Sequence, residues 1–254
     1  MKIDGKTQLA GLIGADTSGS LSPHIHNYLA AELSIDMVYT CFNVWPSDLA
    51  AAIKGAFVLG VAGLNITAPH KIAVMPHAAS LEKCAVGTVA VNLLKRTSEG
   101  YVGYNTDISG ILGALDYYNM SNVKSVSILG NGGAARAARV ALQQLGCNNV
   151  TILHRESLDG HSGDLLINAT SASSDELAAI SSPCQLEKFG SVFDMNYPKN
   201  NPWLESARKA GARPFDGKAM LVFQAVKTFE ILWGKSVPKS ITTDILSILL
   251  KEKS

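Results

Sequence analysis

The sequence predicts an α/β protein of two domains, and three observations carry that prediction. Short apolar runs suited to strands alternate with helical stretches from Leu9 to Tyr118. A strand, a glycine turn and a helix follow one another from Ser125. The 254 residues, 47% of them hydrophobic, suffice for one large domain or two small ones with a real core.

Leu9 to Ala15 reads as the first strand, followed by a Gly/Ser-rich loop. Pro23 suits a first helical position and Ser22 the cap before it. Val38–Val44 reads as a strand, Ser47–Phe57 as a helix, and Val61–Thr67 as a third strand ending before Pro69. A less regular region follows. Val91–Thr97 and Tyr101–Tyr104 then flank Ser98-Glu99-Gly100 as a hairpin. Alternation of this kind argues for a largely parallel core, and a helix is expected from about Asn105 to Tyr118.

Val126–Leu129 suits a buried strand, and Gly130, Gly132 and Ala135 fit the spacing of a dinucleotide turn. Gly130 permits the tight turn. Gly132 presents no side chain to hold off a pyrophosphate, and Ala135 lets helix and strand approach. The following helix directs its N–H groups and positive dipole end at phosphate. Val150–His154 supplies the next strand, so a Rossmann-type nucleotide domain is favoured over an ordinary turn. Asp164–Asn168 also reads as a strand, yet only eight residues, Glu156 to Gly163, separate it from Arg155. A parallel crossover with its helix needs about a dozen. The nucleotide half-sheet is therefore expected to be trimmed, with Val150–His154 as its edge. Ser191–Met195 and Ala212–Phe215 are further strands around a helix near Trp203–Lys209, and Ala219–Trp233 and Thr242–Leu250 are helical.

The net charge of +1 supplies no global field for nucleic acid or a membrane surface. Asp4 and Lys6 precede only a brief apolar run, so no signal peptide is expected, and no stretch approaches the roughly 18 apolar residues of a spanning helix. Cys41, Cys84, Cys147 and Cys184 are far apart, as expected of reduced, buried thiols in a cytoplasmic protein. His24 and His26 lack an accompanying carboxylate or cysteine cluster, and no metal site is expected.

Several motifs resemble those of the shikimate dehydrogenase family. They are Ser20-Leu21-Ser22-Pro23 with His26-Asn27, Asn65-Ile66-Thr67-Ala68-Pro69-His70-Lys71, Ala90-Val91-Asn92, and Gly103-Tyr104-Asn105-Thr106-Asp107. Gly130–Arg136, Asp194-Met195-Asn196-Tyr197-Pro198 and Met220–Ala225 continue the series in the family's order, from about Gly14 to Gly234. The resemblance implies interconversion of shikimate and 3-dehydroshikimate with NADP(H), in the pathway to aromatic amino acid precursors. It implies Lys71 and Asp107 for the hydroxyl proton, a task that a lysine near a carboxylate can perform. By themselves, the two residues read equally as a solvated lysine and a helix-terminal carboxylate. Ser20 and Ser22 are two apart, so in an extended segment their hydroxyls share a side and could clasp a carboxylate. Thr67, Asn92, Gln224 and Tyr197 are implied for the remaining substrate contacts, or else they satisfy neighbouring groups.

Gly130, Asn131, Gly132, Gly133, Ala134, His154, Arg155, Met195 and Gly217 match the family's cofactor side. Arg155 suits the 2′-phosphate of NADP, whereas Glu156 and the non-basic Leu158 do not, so NADP is favoured over NAD by a small margin. Thr170–Ser174 and Cys84 also depart from the family pattern. These departures bear on cofactor grip and leave the substrate-side motifs intact. Quinate and an amino analogue are rival substrates, and a non-catalytic cyclitol-acid-binding paralogue is the alternative from another class. Residues 1–103 with 221–254 are expected to form the substrate domain and 104–220 the dinucleotide domain, in a monomer or homodimer.

Overall fold

The computed structural model describes residues 3–154 and 158–251. It divides into two compact units, Met1–Gly110 with Val222–Ser254, and Ile111–Leu221.

The first unit is built on β1 (Gln8–Gly14), whose last five residues are all buried. A strand buried on both faces calls for parallel neighbours joined by helices. Helix α1 (Ser22–Glu32) leads to β2 (Met37–Asn43), and α2 (Leu49–Val58) leads to β3 (Gly63–Ile66). Both strands pair with β1 in parallel. The less regular region resolves into α3 (His70–Ala73), β4 (Ser80–Leu81) and α4 (Lys83–Thr88). The expected hairpin is present as β5 (Leu93–Arg96) and β6 (Tyr101–Tyr104), antiparallel to each other, with β5 antiparallel to β3. The sheet order is β2-β1-β3-β5-β6-β4, with β4 parallel to β6, so three of its five pairings are parallel and the hairpin strand β5 supplies the two antiparallel ones. Ile13, Leu49, Ile53, Leu64, Val74 and Leu94 share one buried cluster that packs the strands against α2.

Helix α5 (Asp107–Tyr117) follows the hairpin. At the other end of the chain, α10 (Lys218–Trp233) and α11 (Lys239–Lys251) contribute most of their length to the first unit. Leu232 of α10 lies where a Cβ on Gly63 would fall, which explains the glycine at the start of β3.

The second unit holds five parallel strands. These are β7 (Ser125–Leu129), β8 (Asn149–Leu153), β9 (Gly163–Asn168), β10 (Phe189–Asp194) and β11 (Arg213–Phe215), in the order β11-β10-β9-β7-β8. Helix α6 (Gly133–Gln144) joins β7 to β8, and β8 is the sheet edge, as the short segment after it predicts. Nine residues, 154–162, separate β8 from β9. In extended form they reach about 30 Å, enough to run back along a strand of about 17 Å but not with a helix on the way. Leu158 belongs to the core with Leu153 and Leu166, which accounts for an apolar residue there.

Two helices beyond the sequence expectation follow β9, α7 (Ser174–Ile180) and α8 (Pro183–Leu186). Each begins with a reciprocal capping box, Ser173 with Glu176 and Ser182 with Gln185. Helix α9 (Pro202–Lys209) buries Trp203, whose indole N–H donates to Ser181 Oγ at 3.2 Å. Of the cysteines only Cys147 is buried. Cys41 and Cys84 are half-buried and Cys184 is exposed, because Cys184 faces outward on α8.

Candidate active site

Lys71 and Asp107 are the centre of the site in the first unit. Lys71 Nζ donates to Asp107 Oδ2 at 2.6 Å. The two side chains differ in access, 21% exposed for Lys71 and 6% for Asp107. A buried carboxylate therefore holds an ammonium group that solvent and a ligand can still reach.

Backbone and amide contacts hold each partner in place. Lys71 lies in the one-turn helix α3, whose His70 N–H donates to Thr67 O at 2.9 Å and whose His70 ring meets the Val44 carbonyl at 2.8 Å. The Lys71 carbonyl accepts the Val91 N–H at 2.8 Å. Asp107 opens α5, and its N–H donates to Asn105 Oδ1 at 3.0 Å. Asn105 is itself fastened through Nδ2 to Thr88 Oγ1 and the Ala90 carbonyl, both at 3.0 Å. Asn92 Nδ2 donates to Asp107 Oδ1 at 2.8 Å and to Thr106 Oγ1 at 2.9 Å. Its Oδ1 accepts the Thr106 N–H at 2.7 Å. Each oxygen of the carboxylate thus has its own donor, an ammonium on one and an amide on the other.

Thr106 extends the set to Gln224 on α10, donating to Gln224 Oε1 at 3.4 Å. Thr67 follows β3 beside Gly14, where a Cβ on the glycine would meet Thr67 Cγ2 at 2.5 Å. Ser22 does not cap α1. The helix already includes it, its cap residue is Leu21 in helical conformation, and no side chain caps the end. Ser20 Oγ instead accepts the Ser22 N–H at 3.2 Å, and the Ser20–Ser22 segment is a helical entry rather than an extended strand. Ser22 is buried and Ser20 half-buried.

Several residues that the motifs did not single out complete the constellation: Asn105, Thr106, Asn65, Tyr39 and Thr228. Asn65, Asn105 and Thr106 lie inside the quoted motifs. Thr228 is 163 residues from Asn65, which donates to it, and carries no local signal.

The glycine turn is in the second unit. Gly130 has φ +107°, and a Cβ there would meet Thr170 Cγ2 at 2.9 Å. Gly132 is the cap of α6 with no side-chain cap bond, and a Cβ on it would meet nothing within 4 Å. Asn131 and Gly132 are exposed, Gly133 and Ala134 half-buried, and Ala135 buried against the strand. An uncapped N-terminus of a 12-residue helix behind an open glycine suits a pyrophosphate, so these residues fit a dinucleotide. Met195 follows β10 and its N–H donates to Asn168 O at 3.1 Å. Gly217 passes so close to the Met195 carbonyl that no Cβ fits, and its N–H donates to Asn196 O at 2.9 Å. His154 is exposed beyond β8, whereas Arg155 lies outside the described residues. Tyr197 is half-buried after β10, in the second unit rather than among the other substrate candidates. Among the described residues no three His, Cys, Asp or Glu side chains gather to hold a metal, and no helix is long and apolar enough to cross a membrane.

A parallel sheet with an open glycine turn, and a separate unit carrying a lysine–carboxylate pair, define a nucleotide-dependent α/β class of protein. Residues 12–94 match the family model described as the shikimate dehydrogenase substrate binding domain. Over 98% of its length the chain is 34% identical to 99% of a shikimate dehydrogenase (NADP(+)) from Methanothermobacter thermautotrophicus. The crystal structure of shikimate dehydrogenase 1 from Peptoclostridium difficile superposes with a TM-score of 0.89 at 27% identity, covering 97% of this chain and 99% of that one. A shikimate dehydrogenase solved in complex with NADP+ gives a TM-score of 0.80 at 27% identity, covering 100% and 98%. The chain belongs to the shikimate dehydrogenase family.

Proposed function

We propose that this chain interconverts shikimate and 3-dehydroshikimate with NADP(H). The observation that carries the reading is the Lys71–Asp107 pair, in a chain that aligns nearly end to end with a relative named for that activity. NADP(H), when bound, supplies or accepts the hydride. Gly130, Asn131, Gly132, Gly133 and Ala134 would hold its pyrophosphate, with His154, Arg155, Met195 and Gly217 alongside.

Lys71 handles the hydroxyl proton. In the reducing direction its ammonium group donates a proton to the oxygen of the carbonyl being reduced, as negative charge develops there. The neutral amine left behind regains a proton from solvent, to which the side chain is 21% exposed. In the oxidising direction the neutral amine accepts the hydroxyl proton. Asp107, held by Asn92, aims Nζ. Ser20 and Ser22 present neutral donors for the substrate carboxylate, and Thr67, Gln224 and Tyr197 address the ring hydroxyls. The first unit, Met1–Gly110 with Val222–Ser254, acts as the substrate domain, seven residues longer at the hairpin end than the sequence boundary at 103, and Ile111–Leu221 acts as the dinucleotide domain. The protein acts in the cytoplasm as a monomer or homodimer, with a net charge of +1 that offers nucleic acid no field.

The test is steady-state oxidation of shikimate and of quinate with NADP+ and with NAD+, together with Lys71→Ala. Shikimate with NADP+ is expected to give the highest kcat/KM. Lys71→Ala is expected to lose turnover by about 10²–10⁴-fold, the usual worth of general acid–base catalysis, with calorimetric shikimate binding nearly unchanged. Wild-type turnover in the variant refutes the assignment.

A further inference from the structure

Behind the Lys71–Asp107 pair lies a buried run of polar side chains that the proposed chemistry does not use. Tyr39, buried on β2, donates its hydroxyl to Asn65 Oδ1 at 2.8 Å. Asn65 Nδ2 donates to the Asn92 carbonyl at 3.1 Å and to Thr228 Oγ1 at 3.3 Å. Thr228, fully buried on α10, has its Oγ1 at 3.1 Å from Thr106 Oγ1. Thr106 and Asn92 are in turn bonded to each other, and Asn92 holds Asp107 Oδ1.

Proton counting gives this run a direction. Asn65 has two amide protons, and both are committed, one to the Asn92 carbonyl and one to Thr228. Thr228 Oγ1 is therefore an acceptor towards Asn65, and its single proton is available for Thr106. Thr106 Oγ1 already accepts from Asn92 Nδ2, so its own proton is shared between Asn92 Oδ1 at 3.2 Å and Gln224 Oε1 at 3.4 Å. The order of donation is Asn65 to Thr228 to Thr106, and from there to Asn92 or Gln224. Removing the Thr228 hydroxyl strands a buried Asn65 N–H and leaves Thr106 without the donor that sets its proton. A buried group in that position takes another partner where one is within reach. The groups already bonded to this run are Asn92, through its carbonyl, and Thr106, and these are the groups that aim Asp107.

We propose that Thr228, backed by Tyr39, is a positioning residue that fixes the Asn92 and Thr106 side chains and through them the Asp107 carboxylate facing Lys71. This rests on the functional reading above, since the effect is read in turnover. If the run were only fold cement, its loss would lower the melting temperature and leave kcat alone.

The experiment compares wild type, Thr228→Val, Thr228→Ser and Tyr39→Phe in shikimate oxidation with NADP+, with a thermal melt of each. Thr228→Val keeps the shape and removes the hydroxyl. It is expected to lower kcat about tenfold with the shikimate KM within about twofold, the loss of one buried hydrogen bond felt mainly at the reacting groups. Thr228→Ser restores the hydroxyl and is expected to return kcat to within about threefold of wild type. Tyr39→Phe releases Asn65 Oδ1 from the far end and is expected to lower kcat in the same direction. Wild-type kcat in Thr228→Val overturns the proposal, as does a kcat in Thr228→Ser as low as in Thr228→Val. If Thr228→Val does not fold, Tyr39→Phe decides, and unchanged kcat there overturns the proposal. A wild type inactive on shikimate overturns the functional reading instead, and this proposal with it.

Discussion

Replacing His26 with Phe should remove an acid-sensitive element from the first unit. His26 is fully buried on α1, with its ring stacked on Tyr39 at 4.2 Å and 7°, and on Phe229 at 6.5 Å. Neither ring nitrogen has a hydrogen-bond partner among the described residues. Burial therefore pulls the imidazole pKa from 6.5 down to about 3. The folded value lies below the unfolded one, so between those limits the unfolded chain binds a proton that the folded chain refuses. Stability consequently rises with pH across this window and is lost as pH falls through it. At about pH 5 the group is some 1.5 units below its unfolded value, so wild type should be weaker by about 2 kcal/mol than at about pH 7.5 through this residue alone. His26→Phe keeps a flat ring over Tyr39 and has nothing to titrate. Its larger ring overpacks the site by about 1–3 kcal/mol, an offset that is the same at both pH values and cancels. Urea unfolding followed by circular dichroism at the two pH values gives four stabilities. The wild-type loss on acidification should exceed that of the variant by about 2 kcal/mol. Equal losses, within about 0.5 kcal/mol, would refute the argument that a buried neutral imidazole drives it.

Three further outcomes follow from the second unit. Gly130→Ala places a side chain at φ +107° and against Thr170, so a stability loss of about 1–3 kcal/mol and weaker NADP+ binding are expected by thermal melt and calorimetry. Unchanged values in both would remove the reason given for that glycine. Asp194 accepts from Asn168, from Asn201 and twice from Asn196, so Asp194→Asn turns an N–H towards these donors. A loss of about 1–3 kcal/mol is expected in a chemical melt, and wild-type stability would show that the cluster tolerates an amide. Burial pushes the Asp194 carboxyl above the usual carboxylate range, so its own contribution fades as pH rises through that value, opposite in sign to His26. Alkylation followed by mass spectrometry should label exposed Cys184 well before Cys147, whose thiol is buried and pushed up by burial. Simultaneous labelling would contradict the placement of the two thiols.

Much of the fold could be read locally. The strand–turn–helix unit at Ser125–Gln144 follows from three apolar residues, Val126, Ile128 and Leu129, a glycine that must turn and a small residue at the packing contact. The edge position of β8 came from chain length alone, because the residues before β9 cannot contain a helix. The capping boxes at Ser173 and Ser182 are also legible as spacings, a serine with Glu or Gln three residues on. A serine before proline suits a helix cap, but the chain turns helical one residue earlier, at Leu21, and Ser22 falls inside the helix.

Lys71 and Asp107 stand out in the sequence through their motifs, yet their spacing cannot bring them together. They are 36 residues apart, and only the sheet and the α5 start place Nζ and Oδ2 in contact. Asn65, Thr106 and His26 lie within motifs, but nothing local marks Tyr39 and Thr228 as their partners. Local sequence decides which backbone conformations are cheap and which faces must be buried. Tertiary structure decides which buried polar atoms meet, because those pairings form between segments that only packing brings within hydrogen-bond reach.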